Sequence, residues 1–325
     1  MVKNQPTELQ QRRDARLFRA ALWVLRHTPM WLLVLKATFL SYMLCIIDRR
    51  HRRLMARQMR LALGNQLSDS QIARLTRACF RHEMLCIAEF AKIPRMDQSF
   101  IRKHVDVTDL SKLTDLKASG RGVLVITGHI GSWEMLAVSA ALEEFKVTAL
   151  AKPLKNPYIH KEVNRIRSLC GNDIVDKYNS LRAIGQLLRQ GRWVCFLYDQ
   201  NGGPEDAFVP FFGIPAATWR SAPFMHTRFD APIVVASFSR LNWWATKYKI
   251  NIHRIIDPSN YSKSSSILNN VNAEQFVLSQ IHESFEQAIR AHPEQWLWQH
   301  RRWKTRPAGE KSHLIDGVPQ FTEHF

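Results

Sequence analysis

Cysteine is scarce in this chain: five residues in 325, odd in number and without CxxC spacing. Cys45, Cys79, Cys86, Cys170 and Cys195 are scattered through mostly apolar or helical segments, which argues for reduced thiols facing a cytosol over a disulfide framework. There is no HExxH and no Cys/His cluster at ligand spacing, so no metal site is expected. Gly128, Gly131, Gly202 and Gly203 form neither a Walker A nor a dinucleotide fingerprint. GHIGSWE contains Ser132 but lacks the G-x-S-x-G of a nucleophile elbow, which sets aside a serine hydrolase. No internal repeat is present, and no small-residue cleavage site follows the first apolar run, so no removable signal peptide is expected.

Acidic residues are also short: 28 Asp+Glu stand against 46 Lys+Arg, a net charge of +18 and a pI near 10.1. Such a field favours polyanions, meaning nucleic acid, an anionic membrane face, a phosphorylated lipid or an acidic carrier protein, and composition does not choose among them. A hydrophobic content of 46% in a chain of this length is ample for a sizeable core.

Along the chain, residues up to about Arg19 are polar and basic and read as a surface or disordered arm. Met30 to Ile47, MWLLVLKATFLSYMLCII, is interrupted by one formal charge, Lys36, and nearly reaches the roughly 20 residues that a spanning helix needs. Arg49, Arg50, Arg52, Arg53, Arg57 and Arg60 make its downstream flank the more basic, so a spanning helix would leave the body of the protein on the cytoplasmic side, and a non-spanning one would lie in the interface. Ser68 caps a long helical pattern that stops at Pro94. From Val123 onward, strands and helices alternate as in α/β architecture. Strands are expected at Val123 to Thr127, Val147 to Ala151, around Ile174 and Val175, and at Trp193 to Tyr198, Pro232 to Phe238 and Tyr248 to Ile256. Helices are expected at Trp133 to Phe145, Pro157 to Cys170, around Leu181 to Leu188, and at Ala273 to Ala291. DQNGGPEDAFVPFFGIPAAT reads as one long functional loop. The tail after Ala308 reads as dispensable. The expected division is 1–60, a basic arm and membrane-associated helix; 61–308, an α/β domain with a helical lead-in; and 309–325, a polar tail.

The chemistry centres on the turn after VLVIT, because strand-to-helix turns at the carboxyl ends of parallel strands are where open α/β sheets place ligands. Ser132 reads as an N-cap, His129 sits on the loop and Glu134 falls in the first helical turn. This spacing lets the imidazole fold back onto the helix, with His129 as base and Glu134 orienting it, the helix N-terminus favouring the ionised carboxylate. The competing reading is a polar turn residue beside a helix-end acid. Arg165 and Arg167 in NRIRS offer guanidinium groups for a developing oxyanion, or a solvated helix face. Asp199, Gln200 and Asn201 follow the strand WVCFLY, at a strand end where polar residues face substrates.

Four segments in order, TGHIGSWEML, AKPLKNP with NRIRS, DQNGGP with FVPFFGIPAAT, and PEQWLWQHRRWKTRP, resemble the lipid A biosynthesis acyltransferase family, the Kdo-lipid IVA lauroyl- and myristoyl-transferase type within the lysophospholipid acyltransferase-like proteins. The resemblance covers about Leu110 to Pro307. It implies a mixed, mostly parallel sheet flanked by helices, glycerolipid acyltransferase-like, behind an N-terminal membrane-associated helix. His129 and Glu134 match the family's His-x4-acid pair, Arg165 and Arg167 its Arg-x-Arg, and Asp199 with Gly203 and Pro204 its D-x-D-x-G-P loop. Asn201 stands where a second Asp is usual, Asn164 where Gly often precedes the Arg-x-Arg, and Trp219 and Arg220 replace smaller residues.

The resemblance further implies transfer of a fatty acyl chain from an acyl carrier protein or CoA thioester to a hydroxyl of a phosphorylated glycolipid, a lipid A precursor, at the bacterial inner membrane with the catalytic domain facing the cytoplasm. No cofactor is required, because the thioester supplies the activation. Phe211 and Phe212, with Phe208, are candidates for guiding acyl chains, with core packing as the competing reading. The alternatives are another lysolipid or glycolipid acceptor, and a non-enzymatic basic protein binding nucleic acid or a membrane, for which WQHRRWK offers interleaved aromatics and cations but no nucleic-acid motif.

Overall fold

The computed structural model describes residues 6–64, 67–176, 180–260, 270–310 and 312–321. Four helices lead: α1 (Glu8–His27), α2 (Met30–Ile47), α3 (Arg49–Leu63) and α4 (Asp69–Lys92). Then follow α5 (Gln98–His104), β1 (Val105–Asp106), α6 (Thr114–Ala118), β2 (Val123–Thr127), α7 (Trp133–Leu142), β3 (Thr148–Ala151), α8 (Pro157–Arg167), β4 (Asp173–Asp176), α9 (Ser180–Arg189) and β5 (Trp193–Leu197). A hairpin, β6 (Ala207–Phe211) and β7 (Ile214–Thr218), precedes α10 (Ser221–Phe229), β8 (Ile233–Arg240), β9 (Tyr248–Ile256), α11 (Asn270–Ala291) and a last hairpin, β10 (Ser312–Ile315) with β11 (Val318–Phe321).

Seven strands form one sheet in the order β1-β9-β8-β2-β5-β3-β4. Within it β8, β2, β5, β3 and β4 run parallel, and β9 is antiparallel to β8. The α/β architecture expected from the alternation, and the mixed, mostly parallel sheet that the resemblance implies, are therefore what the chain forms. Every residue of β2 is buried, as a parallel strand covered on both faces requires. Its side chains alternate between two cores: Leu124 and Ile126 pack with residues of α3, α9, α10 and α11, while Val123 and Val125 pack with residues of α1, α2, α5 and α7.

Three regions depart from the sequence expectations. The basic arm is α1, opened by a Thr7–Gln10 capping box and tied to α8 by Tyr158, whose hydroxyl donates to Glu8 at 2.8 Å. Ala15 and Leu22 are buried and Leu22 enters the core, a narrow apolar stripe that the charged residues around most of the helix obscure. The expected long loop is partly the β6–β7 hairpin, turned by Phe212 and Gly213, both at positive φ (53° and 75°), as a two-residue type I′ turn demands. The tail forms β10–β11, with Val318 buried and Asp316 paired to Arg57 of α3. The boundary expected at residue 60 falls inside α3, whose Met55 and Met59 are fully buried.

The apolar run is helical over the full span from Met30 to Ile47 and is the one helix among the described residues long and apolar enough to cross a membrane. One stripe, Leu33, Val34, Ala37 and Ser41, is buried, and Arg81 of α4 donates to the Thr38 hydroxyl at 3.0 Å. The opposite stripe exposes Trp31, Phe39, Ile46 and Ile47. α4 is anchored in turn by a fully buried bidentate pair, Glu89 with Arg240 of β8, at 2.6 and 2.8 Å.

Candidate active site

Register places the site. β2 and β5 are adjacent and parallel with Thr127 opposite Leu197, and the Tyr198 amide donates to the Thr127 carbonyl at 2.7 Å. Two residues further on each chain stand His129 and Asp199, side by side at the carboxyl ends of the central strands. Asp199 accepts from the His129 amide at 2.8 Å, from His129 Nδ1 at 2.9 Å and from the Trp296 indole Nε1 at 2.9 Å. Its side chain is 1% exposed. Burial alone would raise the Asp199 carboxyl, but the charge and hydrogen bond of His129 and the indole donor hold it well below the usual carboxylate range. Burial likewise acts to lower the His129 imidazole, and the Asp199 carboxylate, helped by the charge of Glu134, outweighs it, so His129 is more basic than an ordinary histidine. An ionised carboxylate can only accept, so Nδ1 carries the proton and Nε2 is the basic nitrogen.

The loop that carries His129 is clamped on both sides. Gly131 takes φ +65°, and a Cβ there would lie 1.4 Å from the Phe238 carbonyl oxygen. A Cβ on Gly128 would meet the Asp199 side chain at 3.0 Å, so glycine allows the close approach of the two strand ends. From the C-terminal block, the Gln295 carbonyl accepts from the Gly131 amide at 2.7 Å, and the Leu297 amide donates to the His129 carbonyl at 3.1 Å. His300 of the same block lies with its ring 5.0 Å from that of His129.

Glu134 does not orient His129. It sits in the first turn of α7 and forms a bidentate pair with Arg167 in the last turn of α8, at 2.5 to 3.2 Å, each charge at the helix end that favours it. Burial works against the Arg167 charge, but Glu134 outweighs it and the guanidinium is held firmly ionised. Ser132 occupies the N-cap position of α7 without a side-chain cap bond. Arg165, two residues earlier and so on roughly the opposite face of α8, pairs with Glu162 at 2.7 Å, is half exposed and does not line the cavity described next.

His129, Glu134 and Arg167 line a cavity of about 960 Å³, near the top of the range of roughly 300–1,000 Å³ for ligand pockets. Beyond them its walls are largely apolar, among them Leu150, Ile184, Phe196, Phe224 and Met225. Burial pushes the Cys195 thiol on this wall up to about 12, which keeps it protonated and unreactive. Gln200 lines the cavity and approaches His300 Nε2 at 3.3 Å. Asn201 turns away, fastening the C-terminal block through Thr305, whose hydroxyl it reaches at 2.8 Å. Phe211 and Phe212 are buried at the β6–β7 turn, Phe211 among Trp296, Trp303 and His282, and neither lines the cavity. Among the described residues no group of three or more His, Cys, Asp or Glu could hold a metal ion.

Sequence reasoning singled out the cavity-lining His129, Glu134, Arg167 and Gln200, and placed Asp199 nearby without its role. It missed Trp296 and His300. The basic-aromatic block was visible as a motif, but nothing in it indicates that an indole nitrogen reaches a strand end 97 residues earlier.

The family model described as bacterial lipid A biosynthesis acyltransferase matches residues 4–305. The lipid A biosynthesis palmitoleoyltransferase of Escherichia coli (strain K12) is 24% identical over 297 residues, which is 90% of this chain and 92% of its own length. The lauroyltransferase of the same organism is 25% identical over 215 residues, 65% of this chain and 66% of its own. Its myristoyltransferase is 24% identical over 211 residues, 65% and 62%.

Proposed function

Because the chain belongs to the bacterial lipid A biosynthesis acyltransferase family and is an acyltransferase acting on a lipid A precursor, we propose that His129, held by Asp199, is the base that activates the acceptor hydroxyl. The observation that carries this reading is the His129–Asp199 hydrogen bond, Nδ1 to Oδ1 at 2.9 Å, at the wall of the 960 Å³ apolar cavity. His129 Nε2 takes the proton of the hydroxyl as its oxygen attacks the thioester carbonyl. The tetrahedral oxyanion is met by the Arg167 guanidinium, which Glu134 fixes in place. Collapse breaks the carbon–sulfur bond, and the imidazolium returns its proton to the departing thiolate. Products are an ester and a free thiol, so atoms and charge balance without a cofactor.

The donor is an acyl carrier protein or CoA thioester, and an acidic carrier suits the +18 charge. The acyl chain occupies the apolar cavity. The enzyme works at the inner membrane with its catalytic face toward the cytoplasm, contacting lipid through the exposed stripe of α2 and the arginines after it.

The test is acyl transfer by the purified protein from long-chain acyl thioesters to a lipid A precursor, read by mass spectrometry. One added ester-linked chain supports the proposal. Transfer to lysophospholipid alone, or thioester hydrolysis without transfer, sinks it.

A further inference from the structure

On the side of His300 away from the acyl cavity lies a second cleft of about 400 Å³, lined by Arg50, His51 and Leu54 of α3, Gln200 and Asn201, and residues 299–301 and 304 of the C-terminal block. Among the described residues no carboxylate lines it. His51 is held by Asp48 at 2.6 Å, but Arg50, Arg301 and Lys304 make no ion pair with any described carboxylate, whereas Arg57, Arg60 and Arg306 nearby in sequence all do. Arg50 and Lys304 are exposed and Arg301 is half-buried, so three cations without a close carboxylate partner face one concavity, on walls that backbone contacts hold together. The buried Gln58 side chain donates to the carbonyls of Trp298 and His300, both at 2.5 Å, and accepts from the Arg302 amide at 3.0 Å, locking α3 to the block. Asn201 and Thr305 fasten the other wall.

Two further placements say what enters. Gln200 lines both this cleft and the acyl cavity, so a ligand in one adjoins a ligand in the other beside His129. Arg50 lies three residues after Ile47, the exposed apolar end of α2, so the cleft opens where a lipid's headgroup would emerge from a surface that α2 contacts.

We propose that this cleft binds a phosphate on the headgroup of the acceptor lipid, and that Arg50, Arg301 and Lys304 thereby hold the acceptor with its hydroxyl at His129. This rests on the acyl-transfer reading above. A phosphate could also arrive on the donor's phosphopantetheine or CoA, and the kinetics separate the two sources.

The experiment measures KM for acceptor and donor separately, using a phosphorylated lipid A precursor, the same acceptor after phosphatase treatment, and long-chain acyl thioester. Arg301→Ala and Lys304→Ala each raise the acceptor KM about tenfold, with kcat at saturating acceptor falling less than about threefold and donor KM unchanged. Removing the acceptor's phosphate raises the wild-type KM similarly and erases the difference between wild type and variants. Lys304→Arg, which keeps the cation, retains the wild-type KM, so the rise in Lys304→Ala reads as loss of charge, and thermal melting verifies the fold of every variant. Unchanged acceptor KM in the variants, or a rise confined to donor KM, overturns the proposal. Absence of acyl transfer by the wild-type protein is instead a failure of the acyl-transfer reading.

Discussion

Asp199 and Glu134 are two carboxylates close to one imidazole, and the fold treats them differently. Asp199 is almost wholly buried and spends its three acceptor contacts on the His129 amide, the His129 ring and an indole. Glu134 is more exposed, spends its contacts on Arg167, and reaches His129 through space as a charge. Nearness in sequence favours Glu134, five residues from His129; strand register favours Asp199, seventy residues away. The difference teaches that in a parallel sheet the partner of a strand-end residue comes from the neighbouring strand's end. The local helix turn supplies the next layer of charge.

The contrast can be broken most forcefully at its centre. His129→Ala lowers kcat by on the order of 10²- to 10⁴-fold, and Asp199→Asn by about 10²- to 10³-fold with the acceptor KM little changed, both read in steady-state acyl transfer. If Asp199→Asn stayed within a few-fold of wild type while Glu134→Gln fell by hundreds, the roles assigned to the two acids would have to be exchanged.

The second carboxylate is probed through its partner. Arg167→Ala costs about 10²-fold in kcat, the scale for removing one oxyanion donor, and Glu134→Gln about tenfold, because the guanidinium stays but loses its holder. Equal losses in both would mean that the guanidinium contributes nothing without its holder, and a larger loss in Glu134→Gln than in Arg167→Ala would mean that Glu134 has a role apart from Arg167.

The pH profile sharpens the comparison without changing the fold. With His129 as the proposed base its neutral form is the active one, and its proton affinity is raised, so kcat/KM is expected to fall as pH drops through a midpoint above the ordinary imidazole value of 6.5. In Asp199→Asn burial acts without the compensating charge, and the acid limb moves to lower pH. Glu134→Gln shifts it the same way by less, since the Glu134 charge is the smallest of the groups that raise His129. A limb that stays fixed in Asp199→Asn would detach the ionisation from His129.

The smallest effect belongs to Arg165→Ala. An exposed pair with Glu162, outside the cavity, leaves kcat/KM within about twofold to threefold. A loss as large as that of Arg167→Ala would mean that α8 presents both arginines during turnover.

What the sequence revealed follows the same division between local and distant causes. β2 was legible because a branched apolar run ended by glycine has few other readings, and α4 because Ser68 and Gln71 close a capping box. α2 was legible to the residue at both ends, its limits set by Pro29 and Asp48. The β6–β7 hairpin was not, because its turn places Phe212, a large aromatic, at a positive φ that sequence patterns reserve for Gly, Asn or Asp. Of the site, His129 and Arg167 were readable as chemistry at a strand end and a helix end. The Asp199 bond, the Trp296 donor and the burial of Phe211 depend on pairings across 70 to 97 residues, which no local spacing encodes.

The clamp from the C-terminal block also sets an order in time. The His129 loop takes two backbone hydrogen bonds from residues 295–297, and the Asp199 carboxylate its indole donor from Trp296. A ribosome making this chain adds every strand of the seven-stranded sheet before residues 295–297, so the histidine and the acid stay unlatched until those residues follow. Removing Gln295 to Leu297 would remove the latch while leaving all seven strands in place.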